Sequence, residues 1–214
     1  GVENGDIVRF AGKDGTPVKW RVIDSGKSNT GNSNGMLLLS EDTLYGVTLP
    51  QTPPATDELA DWLNDDCNNF YTAYFGDLYK KAVMTVSKTD SGYTINSNDY
   101  TDRLPAGTTV FALSAEEFKG LPNNLKNFSN TTMWWLRSVC HKKPGVMLSF
   151  SSYSYVNKDG AISSIATSST KIPTDAKLRP AVNLDKDKLA KIGDKILLLP
   201  TGENYGSLAP VGTA

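Results

Sequence analysis

The sequence predicts an α+β fold, a mostly antiparallel sheet with one or two helices in the first half, and three observations predict it. Short stretches of alternating or continuous apolar residues occupy both ends of the chain. One long stretch with helical periodicity lies between them. The regular strand-helix alternation that a doubly wound α/β fold requires is missing.

Taken in order, Asp6-Ile7-Val8-Arg9-Phe10 and Pro17-Val18-Lys19-Trp20-Arg21-Val22-Ile23 nearly alternate apolar and polar side chains around the turn-forming Gly12-Lys13-Asp14-Gly15, which reads as a hairpin. A polar, glycine-rich loop from Asp24 to Gly35 leads to Met36-Leu37-Leu38-Leu39, the continuous apolar run of a fully buried strand. Pro50, Pro53 and Pro54 disfavour regular structure and deliver the chain to Thr56, a good N-cap. In the helix that follows, Leu59, Trp62, Leu63, Phe70, Tyr71 and Tyr74 recur at helical spacing. Asp57, Glu58, Asp61, Asp65 and Asp66 load its first half with acid, favourable near the positive end of the helix dipole. Asn68-Asn69 is where that helix would divide, and a second short helix is expected from Asp77 to Val83.

Residues 85–107, rich in Ser, Thr, Asn, Asp and Gly, read as an exposed hairpin or ordered loop. Val110-Phe111-Ala112-Leu113 predicts a strand that runs into Ser114-Ala115-Glu116-Glu117, a capping box in which Ser114 and Glu117 each satisfy a backbone N–H of a short helix. Strand-and-turn composition returns in Met133–Ser138, Gly145–Phe150 and Tyr153–Val156, the last before the turn Asn157-Lys158-Asp159-Gly160. Leu178–Leu184 and Lys195–Leu199 close the pattern. One domain over residues 1–200 is expected, with 201–214 as a tail or linker.

With 39% hydrophobic and 21% charged residues, the 214-residue chain can bury a proper core. Its 22 basic and 23 acidic residues leave a net charge of −1, no field to hold a phosphate backbone, so no nucleic-acid partner is expected. The longest apolar runs, Met36–Leu39 and Ile196–Leu199, fall far short of the roughly 18 residues that cross a bilayer, so no transmembrane segment is expected. The start at Gly1 without a Met suggests a processed or engineered beginning from which a signal peptide is already missing.

Little in the chain points to catalysis or a metal. His141 is the only histidine, so a nucleophile-histidine machine has one candidate base and a multi-histidine metal site is excluded. Cys140 is its neighbour, but adjacency in a strand sends the two side chains to opposite faces. The acids of the central helix fit a solvated face better than a glycosidase dyad or calcium site. Cys67 and Cys140 are too few for a stapled mini-protein. They are a candidate long-range disulfide or two unpaired buried thiols.

Several stretches together carry a resemblance. Trp20-Arg21-Val22-Ile23, Leu37-Leu38-Leu39-Ser40-Glu41, Leu59-Ala60-Asp61-Trp62-Leu63-Asn64, Val110–Ser114, Trp134-Trp135-Leu136-Arg137-Ser138, Val156–Gly160 and Leu178-Arg179-Pro180-Ala181-Val182 occur in this order. Over residues 20–199 the chain resembles a family of uncharacterised extracellular domains of anaerobic Gram-positive bacteria, especially gut inhabitants. Its Trp-Trp-x-Arg-Ser and late Arg-Pro strands look like the C-type-lectin-like fold in the broad sense that includes formylglycine-generating enzymes. The resemblance implies an extracellular or cell-surface location, with Arg137 and Arg179 as fixed structural parts paired to buried carboxylates or carbonyls. It does not imply the formylglycine-generating activity, whose paired cysteines near the C-terminal end are not matched by Cys67 and Cys140. The calcium and sugar signatures of C-type lectins are also missing, so no cofactor is implied.

For ligand contact, Trp134 and Trp135 offer large apolar faces that could stack on a sugar. His141, Lys142 and Lys143 form a basic turn that, with Tyr153 and Tyr155 in Ser151–Tyr155, has the composition of an adaptable binding surface. The expectation is a non-enzymatic recognition or adhesion domain with a glycan or protein ligand. Its rivals are a secreted enzyme, either a carboxylate hydrolase or a cysteine redox protein, and a structural spacer of a surface protein.

Overall fold

The computed structural model describes residues 2–26, 34–42, 45–46, 58–126, 133–141, 151–166, 176–192 and 197–200. The first hairpin joins β1 (Ile7–Lys13) to β2 (Thr16–Asp24). Asp14 and Gly15 make its turn with φ of 53° and 75°, the left-handed pair that a two-residue hairpin turn needs and that Asp-Gly supplies at low strain. Every position of β3 (Gly35–Ser40) is buried, as its unbroken apolar run requires. A short β4 (Tyr45–Gly46) follows.

The central helix α1 (Glu58–Tyr74) is continuous. Asn68 and Asn69 do not divide it, because both face solvent while Leu63, Cys67 and Phe70 seat the opposite face in the core, and packing overrides their poor propensity. The helix α2 (Asp77–Lys80) ends sooner than the sequence suggests. Val83-Met84 becomes β5 (Val83–Met84), paired to Leu184 and Asn183 in a later strand, a non-local partner that local propensity does not see. The Ser/Thr/Asn-rich stretch forms the hairpin of β6 (Val86–Ile95) and β7 (Asn98–Thr108). It is not simply exposed: Tyr100, Asp102 and Leu104 alternate inward and are buried.

Then come β8 (Val110–Phe111), α3 (Ala115–Lys119), α4 (Asn123–Lys126) and β9 (Trp134–His141). The capping box of α3 is complete, Ser114 Oγ accepting from the Glu117 N–H at 3.0 Å and Glu117 Oε1 from the Ser114 N–H at 2.8 Å. The last elements are β10 (Ser151–Val156), β11 (Ile162–Ala166), β12 (Lys177–Leu178), β13 (Ala181–Asp185), a 3-10 turn (Lys186–Lys188), β14 (Leu189–Ile192) and β15 (Leu197–Pro200). The Thr56 cap, the Gly145–Phe150 strand and the 201–214 tail lie outside the described residues.

The strands form two mostly antiparallel sheets. One runs β14-β15-β1-β2-β3-β13-β5 with β8 joined to β13. The other runs β11-β10-β9-β12-β4, with β7 on β9 and β6 on β7. The parallel pairings are β1 with β15 and β9 with β12. Two hydrophobic clusters fill the interior. Phe10, Trp20, Leu38 and Val182 on one face of the first sheet pack with Leu63 and Phe70 of α1. Leu37, Leu39 and Ala181 on its other face meet Leu104, Phe118 and Trp134 from β7, α3 and β9. The β3–β13 half is therefore packed on both faces by described residues. Among the described residues no helix is long and apolar enough to cross a membrane.

Candidate recognition groove

The interior claims three of the residues that the sequence offers for ligand contact. Trp134 and Trp135 are 2% and 0% exposed, so neither presents a face to a sugar. Alternation does split them, but β9 is covered on both sides: Trp134 packs edge-on against Phe118, and Trp135 against Tyr153 and Tyr155. Tyr153 is likewise wholly buried, and Tyr155 is half-buried against the same cluster. His141 is half-buried, its Nε2 2.9 Å from Thr101 Oγ1 on the neighbouring β7. Lys142 and Lys143 lie outside the described residues. The Trp134/Trp135/Tyr153 surface is thus corrected to core.

Cys67 and Cys140 are not bridged. Their side chains belong to different clusters, Cys67 with α1 under the first sheet and Cys140 with β7 and β9 on the other side. Burial, aided by Asp66 and opposed by Arg137, pushes the Cys67 thiol far up, which disfavours the reactive thiolate. Burial first, and then the Cys140 thiol, push the Tyr100 phenol up to about 12.

Both arginines are buried. Arg137 reaches Asp102 Oδ2 at 3.0 Å, Glu117 Oε1 at 2.5 Å and the Ala112 carbonyl at 2.7 Å. Arg179 donates to the Ser40 carbonyl at 2.7 Å and the Glu41 carbonyl at 3.0 Å, with its guanidinium 5.1 Å from the Trp134 ring centroid. Among the described residues, no three His, Cys, Asp or Glu side chains are grouped to hold a metal ion.

An open site forms instead at the tip of the first hairpin. The ladder between β2 and β3 stops at Trp20 and Ser40, after which the chain turns off through Glu41 and Asp42, the Glu41 N–H donating to the Lys19 carbonyl at 2.9 Å. Residues 16–19 of β2 therefore extend past the end of β3. Pro17, with no N–H to offer, suits a stretch beyond the last β3 pairing, since it discourages edge-to-edge strand pairing. The last residue of α1, Tyr74, closes the other side, its ring stacked on Phe70 at 4.5 Å with Lys13 Nζ 5.8 Å from its centroid.

Between these walls lies a groove of about 540 Å3 with Lys13, Lys19, Asp14 and Asp42 along it. Two ammonium donors and two carboxylate acceptors, with the Thr16 hydroxyl, suit it to a polar ligand with many hydrogen-bonding groups. Sequence reasoning identified the turn and strand that bear Lys13 and Lys19 but not this site. No local pattern reports that the end of a helix about sixty positions on comes to rest beside that turn.

The class defined by this architecture is a mostly antiparallel, two-sheet α+β protein with few helices. No protein-family model, curated protein or solved structure matches the chain.

Proposed function

We propose that this chain is a non-enzymatic extracellular recognition domain of C-type-lectin-like architecture that binds a glycan or protein ligand in the hairpin-tip groove. The observation that carries this reading is the groove itself, open to solvent and lined with balanced donors and acceptors, while Arg137, Asp102 and Glu117 are occupied in internal pairs. The lectin-like part is a fold-level analogy. It draws support from the two strands that suggested it, since Trp134 at the start of β9 is the register partner of Lys177, beside Leu178-Arg179-Pro180.

The test is retention of the purified chain on an immobilised panel of bacterial cell-wall glycans, host glycans and matrix proteins. One ligand class should be retained. Asp42→Asn, at an exposed groove position, should weaken that retention about tenfold with an unchanged melting temperature. A panel from which nothing is retained sinks the reading.

A further inference from the structure

We propose that the ligand of this groove is a hydroxylated polyanion, a sugar or polyol chain bearing carboxylate or phosphodiester groups, and that Arg9 and Lys19 hold its charge. The proposal rests on the recognition reading above and specifies its ligand. Arg9 and Lys19 are direct register partners across the β1–β2 ladder. Val8 and Phe10 on one strand and Val18 and Trp20 on the other are buried in the core. Alternation therefore sends Arg9 and Lys19 together to the opposite, outer face, and neither belongs to a core cluster of the described residues.

Like charges directly opposite each other in a ladder destabilise the strand pair. The fold does not relieve this one. The neighbouring cation on the same face, Arg21, is taken up by the Glu41 carboxylate and the Gly5 carbonyl. Arg9 and Lys19 form no ion pair among the described residues. Lys19 is exposed and lines the groove, and Arg9 lies beside it as its partner across the ladder.

The groove acids narrow the class. Asp14 and Asp42 would repel a ligand that is only an anion, and a neutral sugar would leave Arg9 and Lys19 unanswered. A chain that alternates hydroxyls with acidic groups satisfies both sets, its hydroxyls donating to Asp14 and Asp42 and its acids accepting from Arg9 and Lys19.

The experiment is affinity electrophoresis of the whole chain through gels containing polygalacturonate, poly(glycerol phosphate), dextran or poly-glutamate. Retardation is expected on polygalacturonate or poly(glycerol phosphate), the stronger arm telling carboxylate from phosphodiester, and it should weaken with added salt. Arg9→Gln and Lys19→Gln should each reduce it about tenfold, whereas Lys158→Gln, an equal charge change in the exposed β10–β11 turn, should not. Neither groove-side variant should lower the melting temperature, because each removes a like-charge opposition. No retardation by either polyanion, or retention of a neutral glycan indifferent to both variants, overturns the inference. If the wider panel still retains the chain, the recognition reading survives; if it retains nothing, both fail. Poly-glutamate bound as tightly as polygalacturonate or poly(glycerol phosphate) overturns the assignment to a hydroxylated polyanion.

Discussion

The surroundings of Arg137 and Arg179 meet the same difficulty, a guanidinium withdrawn from water, in two ways. Around Arg137, strand β7 supplies Asp102 and helix α3 supplies Glu117. Burial opposes the charge there, but Glu117 and then Asp102 outweigh it and hold the guanidinium above its usual value. Around Arg179 the contacts described are backbone carbonyls and the face of Trp134. There burial prevails over the more distant Glu41 and Asp42, with Arg21 adding to its effect, and the guanidinium is pulled down to about 10. Carboxylates compensate a buried cation more fully than dipoles do, but they bring buried charges of their own. The Arg137 region should therefore be the more sensitive to loss of one partner.

The largest expected effect comes from breaking that pair. Asp102→Ala leaves Arg137, 1% exposed, short of one carboxylate and should cost about 3–5 kcal/mol in urea unfolding. The triple variant Asp102→Leu/Arg137→Met/Glu117→Gln should recover most of the loss, because it removes all three charges rather than stranding one. A smaller loss, about 1–3 kcal/mol, is expected for Arg179→Lys, which cannot reach two carbonyls with a planar fork or stack on Trp134 in the same way. A loss for Arg179→Lys that matched Asp102→Ala would contradict the ranking of the two sites.

The smallest effect lies in the acid limb. Burial opposes the ionised form of Glu117, yet Arg137, the Ser114 N–H and Lys88 together hold its carboxyl below the usual 4.5. A carboxylate depressed in the folded state contributes stability that is complete above its unfolded value and lost as pH falls through the folded one. Unfolding measured at intervals below about pH 5 should show a shallower acid decline for Glu117→Gln than for the parent chain. Arg179→Lys should shift the whole curve and leave its acid slope unchanged.

How far this was legible depended on the range of the interaction. Ser114 and Glu117 lie three residues apart, and their capping box could be read and then found in the structure. The β1–β2 hairpin was equally plain, because its turn chemistry and alternation sit within one short segment. The burial of the β6–β7 hairpin was harder to see, since its inward positions include Asp102, whose burial makes sense only beside Arg137. The aromatic pair Trp134-Trp135 was ambiguous for the same reason: alternation shows that the two diverge, not that both sides of β9 are covered.

The α+β composition, most strand positions, the first hairpin and the cap of α3 are written in local patterns, because periodicity and turn chemistry act between residues a few positions apart. Which face of each strand is sealed, the separation of the two thiols into different clusters, and the place of Arg9 and Lys19 on the outer face beside the groove arise from long-range packing. Those outcomes depend on partners as distant as Ser40 and Arg179, 139 positions apart in the chain, and no local pattern encodes a meeting over that range.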